Sequence, residues 1–559
     1  TTYQFLLTIK EYFALRNMKS ENLKRFLSLP VVTIGIIIVA IAVRIFFQIY
    51  FLSITNDKSY QILAAQNFLA GNGFTLHEVL VDDLSQSAYV PLIKWPPGYS
   101  LLLTPFLALC KNNVVLATLL LDAITCISFI IFTRKLLLRF SLPIWLVNIY
   151  TLISGFFLYS FCLASSTDFL TLTIFIIAIY YSLKLSAAEN LKPGLLLLIA
   201  VLLFFTGFIR YLYLPVAFVI PFCFMVNGLF NKNKLLLKKG IGIFILTGIL
   251  ITTFLVVQAT FAGGAAYTRA AEKGFFIDSA YQLQPFIFTS FFNLEYFFSN
   301  LIVVTGLTQQ AVTVVVIAIH HTILFFLLLL FINWLLKKRF LNQSPINLYL
   351  FISTIASLVI LAVLLFLSIT NAPHKTGITT EWTYVHESRY FAFPVFFLQQ
   401  LLFITIYHYR KFAKKWLRYL LFFCFFLLLL DTAHNIYFTT SRLFSSSKRL
   451  SENIKGNAVA DYIDKTVKKV VSENPGKKVI VIPAPAYLGS QAGFYQKVSA
   501  LYHYDSLNKT NPKTSKEVVV LFITNRPTDS PVKFETNTSK KLIGSYNELL
   551  FYTLNVKPK

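Results

Sequence analysis

Charge is scarce in this sequence. Asp, Glu, Lys and Arg make up 13% of its 559 residues, while 56% are hydrophobic. A soluble chain of this size needs far more polar surface. Acidic residues are the scarcer kind, 24 against 50 Lys and Arg, which leaves a net charge of +26. Cysteine is sparse too. Cys110, Cys126, Cys162, Cys223 and Cys424 all lie in or beside apolar runs, a placement that argues against a disulfide framework and against a Cys metal site. Internal repeats and low-complexity tracts are absent. No cleavable signal peptide is expected, because the first apolar run is long enough to stay as an anchor.

What is abundant is apolar length. Stretches near 31–53, 114–133, 142–161, 167–184, 193–209, 212–230, 240–258, 311–336, 347–370, 390–408 and 416–437 read as spans. About 20 apolar residues suffice to cross a bilayer as a helix. The 57 Phe and 29 Tyr suit lipid-facing and interfacial positions. The expected fold is therefore an all-α polytopic membrane domain of about eleven helices. A small α/β domain follows it.

The basic excess sits in short loops: Lys10, Arg16, Lys19, Lys24 and Arg25; Arg134, Lys135 and Arg139; Lys232, Lys234, Lys238 and Lys239; Lys337, Lys338 and Arg339; Arg410, Lys411, Lys414 and Lys415. Every cluster falls on one side of the span count, the side that faces the cytoplasm and anionic lipid. That pattern replaces a nucleic-acid reading. It predicts a protein of the cytoplasmic membrane with its N-terminus inside and its C-terminal segment outside.

Two regions follow, 1–437 in the membrane and 438–559 beyond it. The first carries long outer loops at 54–113, 259–310 and 371–389, and loops of such length are usually functional. A helix from Tyr60, closed by Gly71 and Gly73, is expected to lie in the interface plane. In the polar, lysine-rich second region, 458–471 reads as a helix, 477–483 and 517–524 as buried strands, and 543–554 as a further strand pair.

The first outer loop opens with Thr55-Asn56-Asp57-Lys58-Ser59-Tyr60 and closes with Lys94-Trp95-Pro96-Pro97-Gly98-Tyr99. A carboxylate just above the bilayer can act as a general base, and a lysine can hold a phosphate. The acidic residue after the first span, the Tyr-x-x-x-Ala-x-Asn-type helix, Gly-x-Gly-Phe and Pro-Pro-Gly-Tyr before an apolar helix resemble the GT-C superfamily. Within it the sequence is most similar in style to the protein O-mannosyltransferases and the lipid A aminoarabinose transferase. The resemblance covers roughly the first 230 residues well. It implies an integral-membrane glycosyltransferase that takes its sugar from a polyprenyl phosphate and inverts the anomeric carbon in one displacement. The acceptor, whether glycan, lipid or protein, stays open.

By this resemblance Asp57 matches the catalytic acid and Lys94 a phosphate-binding lysine, with Arg210 and Arg389 facing lipid phosphate beside Tyr390. Read without it, Asp57 is a helix N-cap, Lys94 an interfacial anchor and Arg389 one partner of a loop ion pair. Tyr60, Asp168, Arg269, Glu272, His386 and Glu387 are further polar candidates, with Tyr267 and Lys273 near them. Asp168 also reads as a helix cap. Asp82 and Asp83 read as solvent-facing. His320 and His321, adjacent on a helix, point apart and cannot form a metal pair. Many relatives carry a second acid after the catalytic one, where this chain has Lys58. A divalent metal therefore lacks a paired carboxylate, and no other cofactor is expected. Two other classes compete: a lipid or glycolipid flippase, and a catalytically inactive subunit of a membrane assembly. Few intramembrane charges and no repeats weigh against the flippase.

Overall fold

A computed structural model describes residues 20–50, 56–80, 82–93, 95–156, 166–261, 344–370, 374–376, 380–382, 390, 392–408, 415–445, 458–484, 514–524, 541–546 and 549–557. The expected span at 311–336 and residues 262–310 of the loop expected at 259–310 lie outside these residues.

Helix follows helix through most of the chain: α1 (Ser20–Leu27), α2 (Pro30–Tyr50) and α3 (Asn56–Leu69), then a hairpin of β1 (Thr75–Val79) and β2 (Ser87–Pro91). After it come α4 (Gly98–Leu109), α5 (Val114–Arg139), α6 (Ile144–Phe156), α7 (Ser166–Ser186) and α8 (Pro193–Ile209). Two 3-10 turns, Tyr211–Tyr213 and Pro215–Phe218, lead into α9 (Val219–Phe230), α10 (Lys234–Phe261) and α11 (Pro345–Thr370). A short hairpin of β3 (His374–Thr376) and β4 (Thr380–Trp382) precedes α12 (Ala392–His408) and α13 (Lys415–Ser445). Among the described residues, six segments are long and apolar enough to cross a membrane. The chain is thus a mostly helical, integral membrane protein.

Contacts between helices sort the bundle into two ends. At one end Lys24 lies over the Trp145 ring and Arg139 Nη2 donates to the Leu183 carbonyl at 2.9 Å. Lys239 Nζ caps the Leu185 carbonyl in the last turn of α7, also at 2.9 Å. Cations at helix C-termini satisfy orphan carbonyls and suit the local dipole. This basic end also holds the His408 ring, 2.9 Å from the Phe140 carbonyl.

The opposite end carries α3, the first hairpin and α4. The stretch 54–113, expected as one long loop, is largely these elements. Gly71 and Gly73 close α3 with φ of 84° and 70°, backbone that glycine adopts without strain. Gly98 matters for another reason. A Cβ there would stand 2.4 Å from the Phe208 carbonyl oxygen, so only glycine lets the start of α4 seat against the end of α8. Residues 58–65 of α3 are all buried, and Lys58 among them finds a partner inside the protein.

Past α13, α14 (Ala458–Glu473) leads to a sheet of order β5-β6-β8-β7. β5 (Lys478–Ala484) and β6 (Val518–Thr524) run parallel, while β8 (Leu549–Val556) pairs antiparallel with β6 and with β7 (Lys541–Tyr546). Strand alternation divides the apolar side chains between two faces. Val479, Val481, Val519, Leu521, Ile523 and Phe551 cluster with Ile463, Val467 and Val470 of α14. On the other face, Ile480, Ile482, Val518, Val520 and Phe522 take in Val79 and Leu84 of the first hairpin. Burial on both faces explains why β5 and β6 read as unbroken apolar runs.

Asp83 secures that contact and is not a free surface acid. Its Oδ1 accepts from the Ser515 amide at 3.0 Å, its Oδ2 from the Ser515 hydroxyl at 2.6 Å. Lys478 Nζ donates to the Ser85 carbonyl at 3.0 Å. Hydrogen bonds from Ser515 and Ser85 hold the Asp83 carboxyl well below the ordinary carboxylate range.

Candidate active site at one end of the bundle

Two buried ion pairs lie at the end opposite the basic loops. The first joins α3 to α5: Lys58 Nζ meets Asp122 Oδ2 at 2.9 Å, with both side chains 6% exposed. Burial alone would lower the Lys58 pKa. The Asp122 carboxylate, helped by the Tyr99 phenol, outweighs burial and holds the ammonium above its usual value. Tyr60, two residues on, stacks on Trp95 with ring centroids 4.8 Å apart, and Ser100 Oγ donates to the Gln61 carbonyl at 2.8 Å. These contacts pin α3 against α4 and the turn before it.

The second pair joins α7 to the break between α8 and α9. Arg210 leaves the helical region, with φ −154° and ψ 125°, and Pro215 prevents an early return to regular helix. Its Nη1 donates to Asp168 Oδ2 and to Thr167 Oγ1, each at 3.0 Å. Its Nη2 donates to the Tyr390 hydroxyl at 2.9 Å. The Tyr213 hydroxyl donates to Asp168 Oδ1 at 2.9 Å. A planar guanidinium can bridge several acceptors in this way, which a lysine cannot.

The structure thus brings Asp168, Arg210 and Tyr390 together, and it stacks Tyr60 on Trp95. Asp168 serves as more than a helix cap, since both its oxygens are engaged by distant residues. Asp57 stands in the first turn of α3, with its side chain outside the described residues. Lys94, Arg269, Glu272, His386, Glu387 and Arg389 also lie outside them, as do Tyr267, Lys273, His320 and His321. Among the described residues no three His, Cys, Asp or Glu side chains gather as a metal site would require.

Sequence reasoning missed Asp122. Its signal was present: it is the one carboxylate in the apolar run 114–139, and intramembrane ionisable residues mark function or pairing. Arg44 in α2 carried the same signal. Its guanidinium donates to the Ser154 carbonyl at 2.8 Å and lies over the Phe129 and Phe169 rings.

Fold and site together define a polytopic membrane protein whose acidic side chains are paired with cations at the bundle end opposite its basic loops. No protein-family model matches the chain, and no curated protein matches it. Among the solved structures similar to it are two of ArnT from Cupriavidus metallidurans. The apo form shares 12% identity with a TM-score of 0.42. The form bound to undecaprenyl phosphate shares 10% with a TM-score of 0.43. Each match covers 93% of this chain and 98% of the other.

Proposed function

We propose that this protein transfers a sugar from a polyprenyl-phosphate donor to an acceptor at the outer face of the membrane. The observation that carries the reading is the pairing of Arg210 with Asp168 and Tyr390 at the bundle end that also carries Asp57. Asp57 serves as general base. An acceptor hydroxyl oxygen attacks the anomeric carbon while its proton passes to the Asp57 carboxylate. The anomeric C–O bond breaks, and the polyprenyl phosphate departs with the electron pair. Arg210, with Lys94 and Arg389, steadies the charge that grows on that phosphate. The positive-inside rule assigns the basic end to the cytoplasm, so the site and the C-terminal sheet, which forms a small soluble unit, face outward.

A flippase reading draws on one observation, the buried charge of Arg44 within α2. That guanidinium binds a helix carbonyl and two aromatic rings, the contacts of a packing element between α2, α5, α6 and α7.

The test is release of carrier. Purified protein is given undecaprenyl-phosphate pentoses and hexoses, undecaprenyl phosphate being the ligand of one similar structure. Free undecaprenyl phosphate above a protein-free control supports transfer. Binding of the carrier with no release from any donor in the presence of an envelope-lipid and glycan extract would rule it out.

A further inference from the structure

Gln61 lies one helical turn beyond Asp57 on α3. Successive residues turn by about 100° on an α-helix, which puts Gln61 about 40° from Asp57 and about 60° from Lys58, between the two. The residue is 1% exposed. Its backbone is fixed by the hydrogen bond from Ser100, yet its side-chain Oε1 has no hydrogen-bond partner. A buried carbonyl oxygen left unpaired is costly and uncommon. The cation beside it is committed elsewhere, since Lys58 Nζ is held by Asp122, and the Ser100 hydroxyl is held by the Gln61 carbonyl.

We propose that Gln61 Oε1 accepts a hydrogen bond from a carbohydrate hydroxyl bound beside Asp57, which makes Gln61 a substrate-binding residue of the transfer reaction. The inference rests on the function proposed above. An amide oxygen only accepts, so its ligand must bring a donor, an O–H or an N–H. Ionised phosphate brings only acceptors and is the wrong partner, whereas sugars present several hydroxyls. Packing of α3 against α4 holds the oxygen in place before substrate arrives, which lowers the ordering cost of binding.

The experiment compares wild-type protein with Gln61→Leu, varying donor and acceptor concentrations separately and recording the midpoint of thermal unfolding. Loss of one neutral hydrogen bond raises one of the KM values about fivefold to tenfold, and kcat changes less than about threefold because the contact is made in ground and transition states alike. The unfolding midpoint stays unchanged or rises, since leucine removes an unsatisfied oxygen. A higher donor KM assigns the hydroxyl to the transferred sugar, a higher acceptor KM to the acceptor. Unchanged KM values for both substrates overturn the proposal. A midpoint several degrees lower, or failure to fold, overturns it as well, because the amide is then a structural group. Wild-type protein that releases no carrier from any donor sinks the transfer reading itself, an outcome separate from either of these.

Discussion

The two buried ion pairs share an address and differ in design. Lys58–Asp122 is a point-to-point contact between α3 and one membrane helix. Arg210 instead reaches Thr167, Asp168 and Tyr390, and Asp168 also holds Tyr213. The first arrangement suits a lock that sets the position of α3 and therefore of Asp57. The second ties together three chain segments far apart in sequence. Under the proposed function, it is the fork that would trade a tyrosine hydroxyl for a phosphate oxygen while Asp168 still balances its charge. What the difference teaches is that a buried pair need not be a reactive one. Its partners decide which role it takes.

Removing one member of the lock should have the largest effect on stability. Asp122→Leu leaves the Lys58 ammonium buried and unpaired, and breaking such a pair costs about 3–5 kcal/mol. Adding Lys58→Met to that variant removes the orphaned charge, so most of the loss should return in the unfolding midpoint. A double variant as unstable as the single one would show that the site needs charge and not merely a filled space.

The fork should respond differently. Arg210→Ala is expected to weaken binding of undecaprenyl phosphate by about 2–5 kcal/mol, the range for truncating one partner of a buried charged contact. The readout is carrier affinity in detergent. Equal affinity in variant and wild type would make Arg210 a second structural lock and erase the contrast with Lys58.

The smallest effect belongs to the hairpin contact. Folding lowers the Asp83 pKa, so its contribution is present above the unfolded carboxylate value of about 3.9 and is lost only as pH falls through the lower folded value. Hydrogen exchange of 514–524, corrected for intrinsic rates, should therefore stay protected at pH 4 in wild type. Asp83→Asn should loosen it modestly at neutral pH. Equal protection in both proteins would mean that Val79 and Leu84 alone hold the sheet.

Much of the fold was legible where one signal dominated. Unbroken apolar runs foretold β5 and β6, and the helix and final strand pair of the C-terminal region appeared where composition placed them. α4 was harder to read as an element, because 12 residues with Pro105 inside fall short of a span and merged into a long loop. The burial of α3 was harder still. Its Gln, Asn and Ser side chains suggest an exposed surface, but solvent exposure is settled by neighbours that a local pattern does not show. The site was half legible. Arg210, Asp168 and Tyr390 each stood out at a helix end or bundle edge, whereas their convergence joins Arg210 and Tyr390, which are 180 residues apart in sequence. Lys58 and Asp122 are 64 residues apart, so Lys58 read only as the missing second acid.

The most direct test of the account is carrier release by Asp57→Asn. Asparagine keeps the size of Asp57 in the first turn of α3, so folding and carrier affinity should match wild type. A general base contributes about 10²–10⁴-fold, and release of undecaprenyl phosphate from the sugar-linked donor should fall by that factor. Release at the wild-type rate from a folded Asp57→Asn protein would contradict the assignment of Asp57 as the base.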